Sequence, residues 1–235
     1  NHFTRVIRED PERQGLLYLG TELGMFVSFN DGNTWEPMQA NLPVVPIHDM
    51  AVKNNDLILA THGRSFWVLD DLTPLHQISS KLGDSPISLF KPRNTYRGGQ
   101  PLGFGRGGGS TGKDYQRING ETVTFYEKRD KDGELRRVYL NAGQNPPVGV
   151  QINYHLKQSP QTKAEISIID SNNIVIDSFE RNASVGMNRF VWNMRYPATL
   201  GPDARGRPAG ISPLAPTGPY KVELTVDGQT VTETF

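Results

Sequence analysis

The sequence contains no cysteine, which excludes a disulfide framework, a thiol nucleophile and a Cys-ligated zinc centre. It also has no excess of either charge, with 25 Lys and Arg against 25 Asp and Glu. A neutral chain has no overall field to hold it on nucleic acid or an anionic membrane. No apolar run approaches the roughly 20 residues that cross a bilayer as a helix. Neither a nucleic-acid partner nor a membrane span is therefore expected. Catalytic signatures are missing too. The five histidines, His2, His48, His62, His76 and His155, show neither H-x-x-H nor H-E-x-x-H spacing, and no G-x-S-x-G elbow occurs. No metal and no cofactor is expected.

What the chain does have is 24 Gly and 17 Pro among 235 residues, only 36% of which are hydrophobic. That balance favours short strands and tight turns over long helices. An internal repeat gives the strands an order. Leu17-Tyr18-Leu19-Gly20-Thr21 returns as Leu57-Ile58-Leu59-Ala60-Thr61, and at the same offset Phe26, Val27, Asn30 and Asp31 align with Phe66, Trp67, Asp70 and Asp71. A period of about 40 residues built from short strands is the spacing of a four-stranded propeller blade. Strands are expected at 5–9, 16–21, 25–30 and 34–38 for one blade. The next blade supplies 47–53, 56–61 and 65–70, and its fourth strand is missing because Thr73-Pro74 opens a different kind of sequence. Such blades stack on neighbours and rarely stand alone. The chain is thus expected to be the C-terminal portion of a longer protein, whose remaining blades are its first partner.

Between the third and fourth strands lies Ser28-Phe29-Asn30-Asp31-Gly32-Asn33-Thr34-Trp35. Asn and Asp side chains bond their own backbone, Gly supplies a positive φ, and hydroxyls tie the turn to its strands. This stretch resembles the Asp box, S-x-D-x-G-x-T-W, of bacterial-neuraminidase-repeat propellers, a group that includes sialidases, some endoglucanases and sortilin-type receptors. Its matching residues are Ser28, Asn30, Gly32, Thr34 and Trp35, with Asn30 standing where the family has Asp. The resemblance implies a structural turn, with Trp35 packed into the blade, and the Asn argues against a bound cation. Residues 61–71, Thr-His-Gly-Arg-Ser-Phe-Trp-Val-Leu-Asp-Asp, resemble the closing segment of bacterial propeller proteins labelled glycosyl hydrolase or sortilin-like. The resemblance implies an extracytoplasmic setting.

After Leu75 the composition changes. Residues 97–113 are about half Gly and almost devoid of apolar side chains, so a mobile linker is expected there. Within it, residues 107–113 spell most of a P-loop, but Asp114 follows instead of Ser or Thr, and no strand or helix flanks the run. The G-x-G-x-x-G at 103–108 and the Arg-Gly-Gly sites at 97 and 106 also lack their structural context. A charged hairpin is expected at 121–127 and 134–141, turning at Asp130-Lys131-Asp132-Gly133.

From Val148 onward, apolar and polar residues alternate through 148–156, 164–168, 174–178, 190–194 and 220–226, and Asp227-Gly228 turns the chain into a last strand. Short alternating strands with frequent turns predict a β-sandwich. Gly186-x-Asn188-x-Phe190-x-Trp192-Asn193-x-Arg195 and Pro216-Thr217-Gly218-Pro219-Tyr220 resemble the immunoglobulin-like domain of flagellar hook-capping proteins. In this chain Asn193 replaces the usual Asp. With no cysteine available, Trp192 is expected to pack on apolar side chains. Asn182-Ala183-Ser184 has the form of a glycosylation acceptor.

The expected architecture is all-β: the last blades of a β-propeller at 1–78, a Gly/Pro-rich linker with a β-hairpin at 79–147, and an immunoglobulin-like β-sandwich at 148–235. Asp49, Asp70 and Asp71 are the acids worth testing against glycoside hydrolysis, which needs two carboxylates about 5–10 Å apart across a sugar. Asp70 and Asp71 end a strand and read better as turn formers. Arg64 alone does not make the arginine cluster of a sialidase, and Trp67 reads as a core residue before a sugar platform. The expected function is non-catalytic binding or scaffolding of protein or glycan outside the cytoplasm. The alternative is the tail of a glycoside hydrolase whose acids lie in blades further toward the N-terminus.

Overall fold

The computed structural model describes residues 3–78, 82, 85–96, 113–118, 121–133, 135–140, 142–144, 146–199 and 210–235. It is all-β apart from one short helix. Two compact units emerge, Asn1–Ser79 with Leu102–Pro146, and Ser80–Pro101 with Pro147–Phe235.

In the first unit, β1 (Thr4–Glu9), β2 (Leu17–Thr21), β3 (Met25–Ser28) and β4 (Glu36–Pro37) form an antiparallel meander in sequence order. A second meander follows, of β5 (Ile47–Lys53), β6 (Asp56–Thr61) and β7 (Phe66–Leu69). Among the described residues this sheet has three strands, and α1 (Thr73–Gln77) follows β7. Pro74 sits in the first turn of α1, where a missing N–H costs nothing.

The two sheets share one core. Val6, Leu16, Tyr18, Met25 and Val27 from the first meet Ile47, Met50, Leu57 and Leu59 from the second. Alternation decides which face each sheet presents. Tyr18 and Gly20 are buried on the first sheet, whereas Leu57 and Leu59 are buried on the second, so opposite faces of the repeat meet. Gly20 is where they come closest: a Cβ there would lie 2.8 Å from both Val6 and Ile47 side chains. Arg8 links the sheets at their rim, bonding Asp49 Oδ1 at 2.6 Å and the Met50 carbonyl at 3.2 Å.

The repeat extends to backbone detail. β1 and β5 each carry a single-residue irregularity, between Thr4 and Val6 and between Ile47 and Asp49. Thr21 N–H donates to Gly24 O at 2.9 Å, and Thr61 N–H donates to Ser65 O at 3.2 Å. Glu22 N–H then reaches Phe3 O, as His62 N–H reaches Pro46 O.

The expected hairpin gains a strand. β9 (Lys113–Ile118) pairs with β10 (Glu121–Arg129), which pairs with β11 (Leu135–Tyr139). Phe125 opposes Tyr139 across the hairpin, their rings 5.7 Å apart, and Arg137 lies over Phe125. The Gly-rich run at 97–112, with its P-loop and Arg-Gly-Gly lookalikes, lies outside the described residues.

The second unit packs two sheets face to face around one core. With β8 (Ile87–Leu89), the strands β12 (Val150–Leu156) and β15 (Gly186–Trp192) make the first, in the order β15-β12-β8. β13 (Ala164–Ile169), β14 (Val175–Arg181), β16 (Lys221–Val226) and β17 (Gln229–Thr234) make the second, in the order β14-β13-β16-β17. Val150, Ile152, Tyr154, Phe190 and Trp192 face Ala164, Ile166, Ile168, Val222 and Leu224. The stretch expected as a linker with a hairpin, 79–147, also supplies a strand, because Ile87–Leu89 pairs with Tyr154–Leu156 as an edge of this sheet. So short a strand shows no period, and its partner lies beyond the whole β9–β11 sheet in the chain.

Candidate functional site

Among the described residues, polar or aromatic side chains gather in the 28–35 turn, in a buried network at the end of β1 and in an aromatic cleft of the second unit.

The 28–35 turn joins β3 to β4. Asp31 and Gly32 both adopt positive φ, 58° and 80°, and Gly32 takes that conformation without a Cβ to resist it. Asn30 ties the turn together. Its Oδ1 accepts from Ser28 Oγ at 3.0 Å and Thr34 N at 2.9 Å, while its Nδ2 donates to Thr34 Oγ1 at 2.8 Å. Ser28 Oγ accepts from Gly32 N at 2.9 Å. Trp35 is half-buried, its ring against Gly32, and it lines a shallow depression with Ile7 and Leu19. Every polar atom of Asn30 so used faces the turn itself. An Asn at this position lets the Thr34 hydroxyl accept, whereas a carboxylate would require it to donate. We expect Asn30→Asp to fold with near-unchanged stability, because the hydroxyl rotates to serve either partner. Asn30→Ala removes these bonds and should cost about 2 kcal/mol. Urea unfolding of both variants checks this, and equal losses would contradict it.

The three acids singled out in the sequence are not among any cluster of three or more His, Asp or Glu that could hold a metal ion in the described residues. Asp49 is exposed and paired with Arg8. Asp71 is buried with φ 64°, and its Oδ1 accepts the Thr73 amide at 3.2 Å and the Thr73 hydroxyl, starting the turn into α1. Asp70 is half-buried at the end of β7. Trp67 packs on the core of the first unit and donates Nε1–H to Arg64 O at 3.1 Å, while Arg64 itself is exposed.

The network at the end of β1 joins residues 66 positions apart in the chain. Asp10 is 3% exposed, yet its carboxylate is fully engaged. Oδ1 accepts from the Glu12 and Arg13 amides at 2.8 and 3.0 Å. Oδ2 accepts from the Tyr18 hydroxyl at 2.7 Å and lies 2.9 Å from His76 Nε2, which must donate to an ionised carboxylate. His76 Nδ1 is 3.8 Å from Glu12 Oε2. Arg13 completes the clasp by donating Nη1–H to Leu75 O and laying its guanidinium over Phe29. Burial pushes the Asp10 carboxyl up, but hydrogen bonds from Tyr18, His76 and the Glu12 amide, with the His76 charge, outweigh it. The net result is a carboxyl held below its ordinary range. Burial and the Asp10 carboxylate drive the Tyr18 hydroxyl well above its usual value. One end of this network, Asp-Pro-Glu-Arg, is visible in sequence as an Asx turn. Its other end, on α1 beyond both meanders, is not.

In the second unit, Trp192, Tyr220 and Phe235 form a ring cluster, with Trp192 5.1 Å from Tyr220 and 6.3 Å from Phe235. A cleft of about 200 Å³ opens beside them, bordered by Asn94, Met194 and Thr217. Trp192 is 1% exposed and packs on apolar side chains. Asn188, 5% exposed, is satisfied by the 184–186 turn: Oδ1 accepts Ser184 N at 3.0 Å, and Nδ2 donates to the Ser184 and Gly186 carbonyls.

No protein-family model matches the chain, and no curated protein does. Among solved structures it is similar to PorZ, an essential bacterial surface component of the type-IX secretion system of Porphyromonas gingivalis. The identity is 15% and the TM-score 0.25, over 99% of this chain and 30% of that one. This chain therefore spans less than a third of that protein's length.

Proposed function

We propose that this chain is the non-catalytic end of a longer extracytoplasmic β-propeller protein, its two meanders acting as terminal blades and its second unit as an immunoglobulin-like module. In this reading Ser28, Asn30, Gly32, Thr34 and Trp35 form a structural Asp box, the whole engages protein or glycan, and 79–147 carries the connection. One observation carries the reading. Leu57 and Leu59 are buried in the core that the two meanders share, whereas their repeat equivalents Leu17 and Leu19 are only half-buried. Beside them Ile7 is 50% exposed, and on the opposite flank Phe66 and Val68 are 72% and 49% exposed. Among the described residues both outer faces are apolar and lack the neighbour that the inner faces have, which is the condition of blades taken from a ring.

The commitment of Asp49 to Arg8 and of Asp71 to the α1 turn supports binding over hydrolysis by these residues. The test is incubation of the full-length parent with a panel of polysaccharides. Saturable binding without release of reducing ends is the expected result. Release of reducing ends that disappears on mutating one carboxylate would overturn it in favour of a glycoside hydrolase.

A further inference from the structure

The two meanders hold a paired contact at one equivalent place and fill it with different chemistry. In the first, the extra residue of the β1 irregularity is Arg5, and it bonds Glu22, the residue just after β2. In the second, the extra residue of the β5 irregularity is His48, and it stacks on His62, the residue just after β6. The supporting backbone is the same in both, with Glu22 N–H on Phe3 O and His62 N–H on Pro46 O. A bulge re-aims one side chain out of the strand's alternation. Here it brings each extra residue against the residue that leaves the next strand. An ion pair is the structural use of that geometry, and the first meander has it. The second keeps the geometry without a carboxylate. Its imidazole rings lie 5.1 Å apart with 23° between their planes, and both residues are exposed.

We propose that His48 and His62 form a two-imidazole site for a borderline transition-metal ion, with Zn²⁺ as its simplest occupant. Imidazole nitrogen is a preferred donor for such ions, at about 2.0–2.1 Å. Two donors on one ion then stand about 3–4 Å apart, a spacing that the two adjacent, exposed side chains reach by turning out of the stack about χ1 and χ2, so that their nitrogens converge in place of their faces. No group of three or more His, Asp, Glu or Cys converges among the described residues. Water therefore fills the remaining positions, and the ion is exchangeable. The ion sits between the start of β5 and the β6–β7 turn, where a ligand's carboxylate or hydroxyl replaces that water.

Calorimetric titration of the intact chain with zinc chloride tests this. We expect one saturable site in the wild type. His48→Phe and His62→Phe, which keep a ring in the stack but remove the nitrogens, should each bind at least about tenfold more weakly. His2→Ala should bind as the wild type does. Wild-type affinity in either Phe variant, or no saturable binding up to millimolar zinc, would overturn the proposal. Nuclear magnetic resonance of the wild-type imidazoles gives a second readout that no folding defect can confuse. Zinc should shift the His48 and His62 signals ahead of those of His76 and His155, and shifts confined to other histidines would equally overturn it.

Discussion

Asp10→Ala should destabilise the first unit by about 3–5 kcal/mol, the cost of leaving the partners of a buried charge unpaired. Four donors converge on that carboxylate: the Glu12 and Arg13 amides, the Tyr18 hydroxyl and His76 Nε2. Removing it strands all four, and Tyr18 is fully buried. Against a typical domain stability of about 5–15 kcal/mol, that is a large share. The loss should be local in hydrogen exchange, appearing first at the 10–16 turn and at α1, which the network joins. Unchanged protection in both segments would refute this account.

The same group sets an acid response. Because the Asp10 carboxyl titrates lower when folded than when unfolded, its stabilisation is complete above the unfolded value of about 3.9. It is lost as pH falls through the lower, folded value. Asp10→Asn keeps the shape but not the charge, so the stability gap between it and the wild type should narrow as pH drops below about 4. A gap that stays constant down to the acid transition would show that the charge contributes nothing.

The second large effect is expected at Trp192. Trp192→Ala should cost about 3–5 kcal/mol, the range for truncating a large buried aromatic. Its ring fills the junction between Tyr220 and Phe235, and its Nε1–H donates to Arg195 O at 3.3 Å. Trp192→Phe keeps a ring in that cluster and should lose markedly less. Circular dichroism during denaturant unfolding reads both variants, and a loss under about 1 kcal/mol for the Ala variant would show that the cleft collapses to heal the cavity.

Legibility in the sequence followed range. The second meander's first two strands occupy the residues expected of them, 47–53 and 56–61, because alternation and turn residues are local signals. The side-chain bonds of the 28–35 turn among Ser28, Asn30, Gly32 and Thr34 are local in the same way, whereas its Asp31 N–H reaches out to Gly15 O at 2.9 Å. The expected strand at 34–38 shrank to Glu36–Pro37, where the turn's own bonds compete with the ladder. β8 and the His76 end of the Asp10 network stayed hidden, as each depends on a partner remote in the chain. The pairing of His48 with His62 was hidden differently: neither residue fits a metal spacing, and only the β5 irregularity brings them together.

Composition, period and alternation by themselves determined that this chain is all-β, that its start is a repeat of one short-stranded unit, and that its end is a set of short alternating strands. These properties depend on each residue's neighbours a few positions away. The tertiary structure alone decided which face of each meander is covered. Tyr18 and Gly20 are buried on one, Leu57 and Leu59 on the other. A repeat offers the same two faces every time, and only stacking against a particular neighbour removes one of them from water.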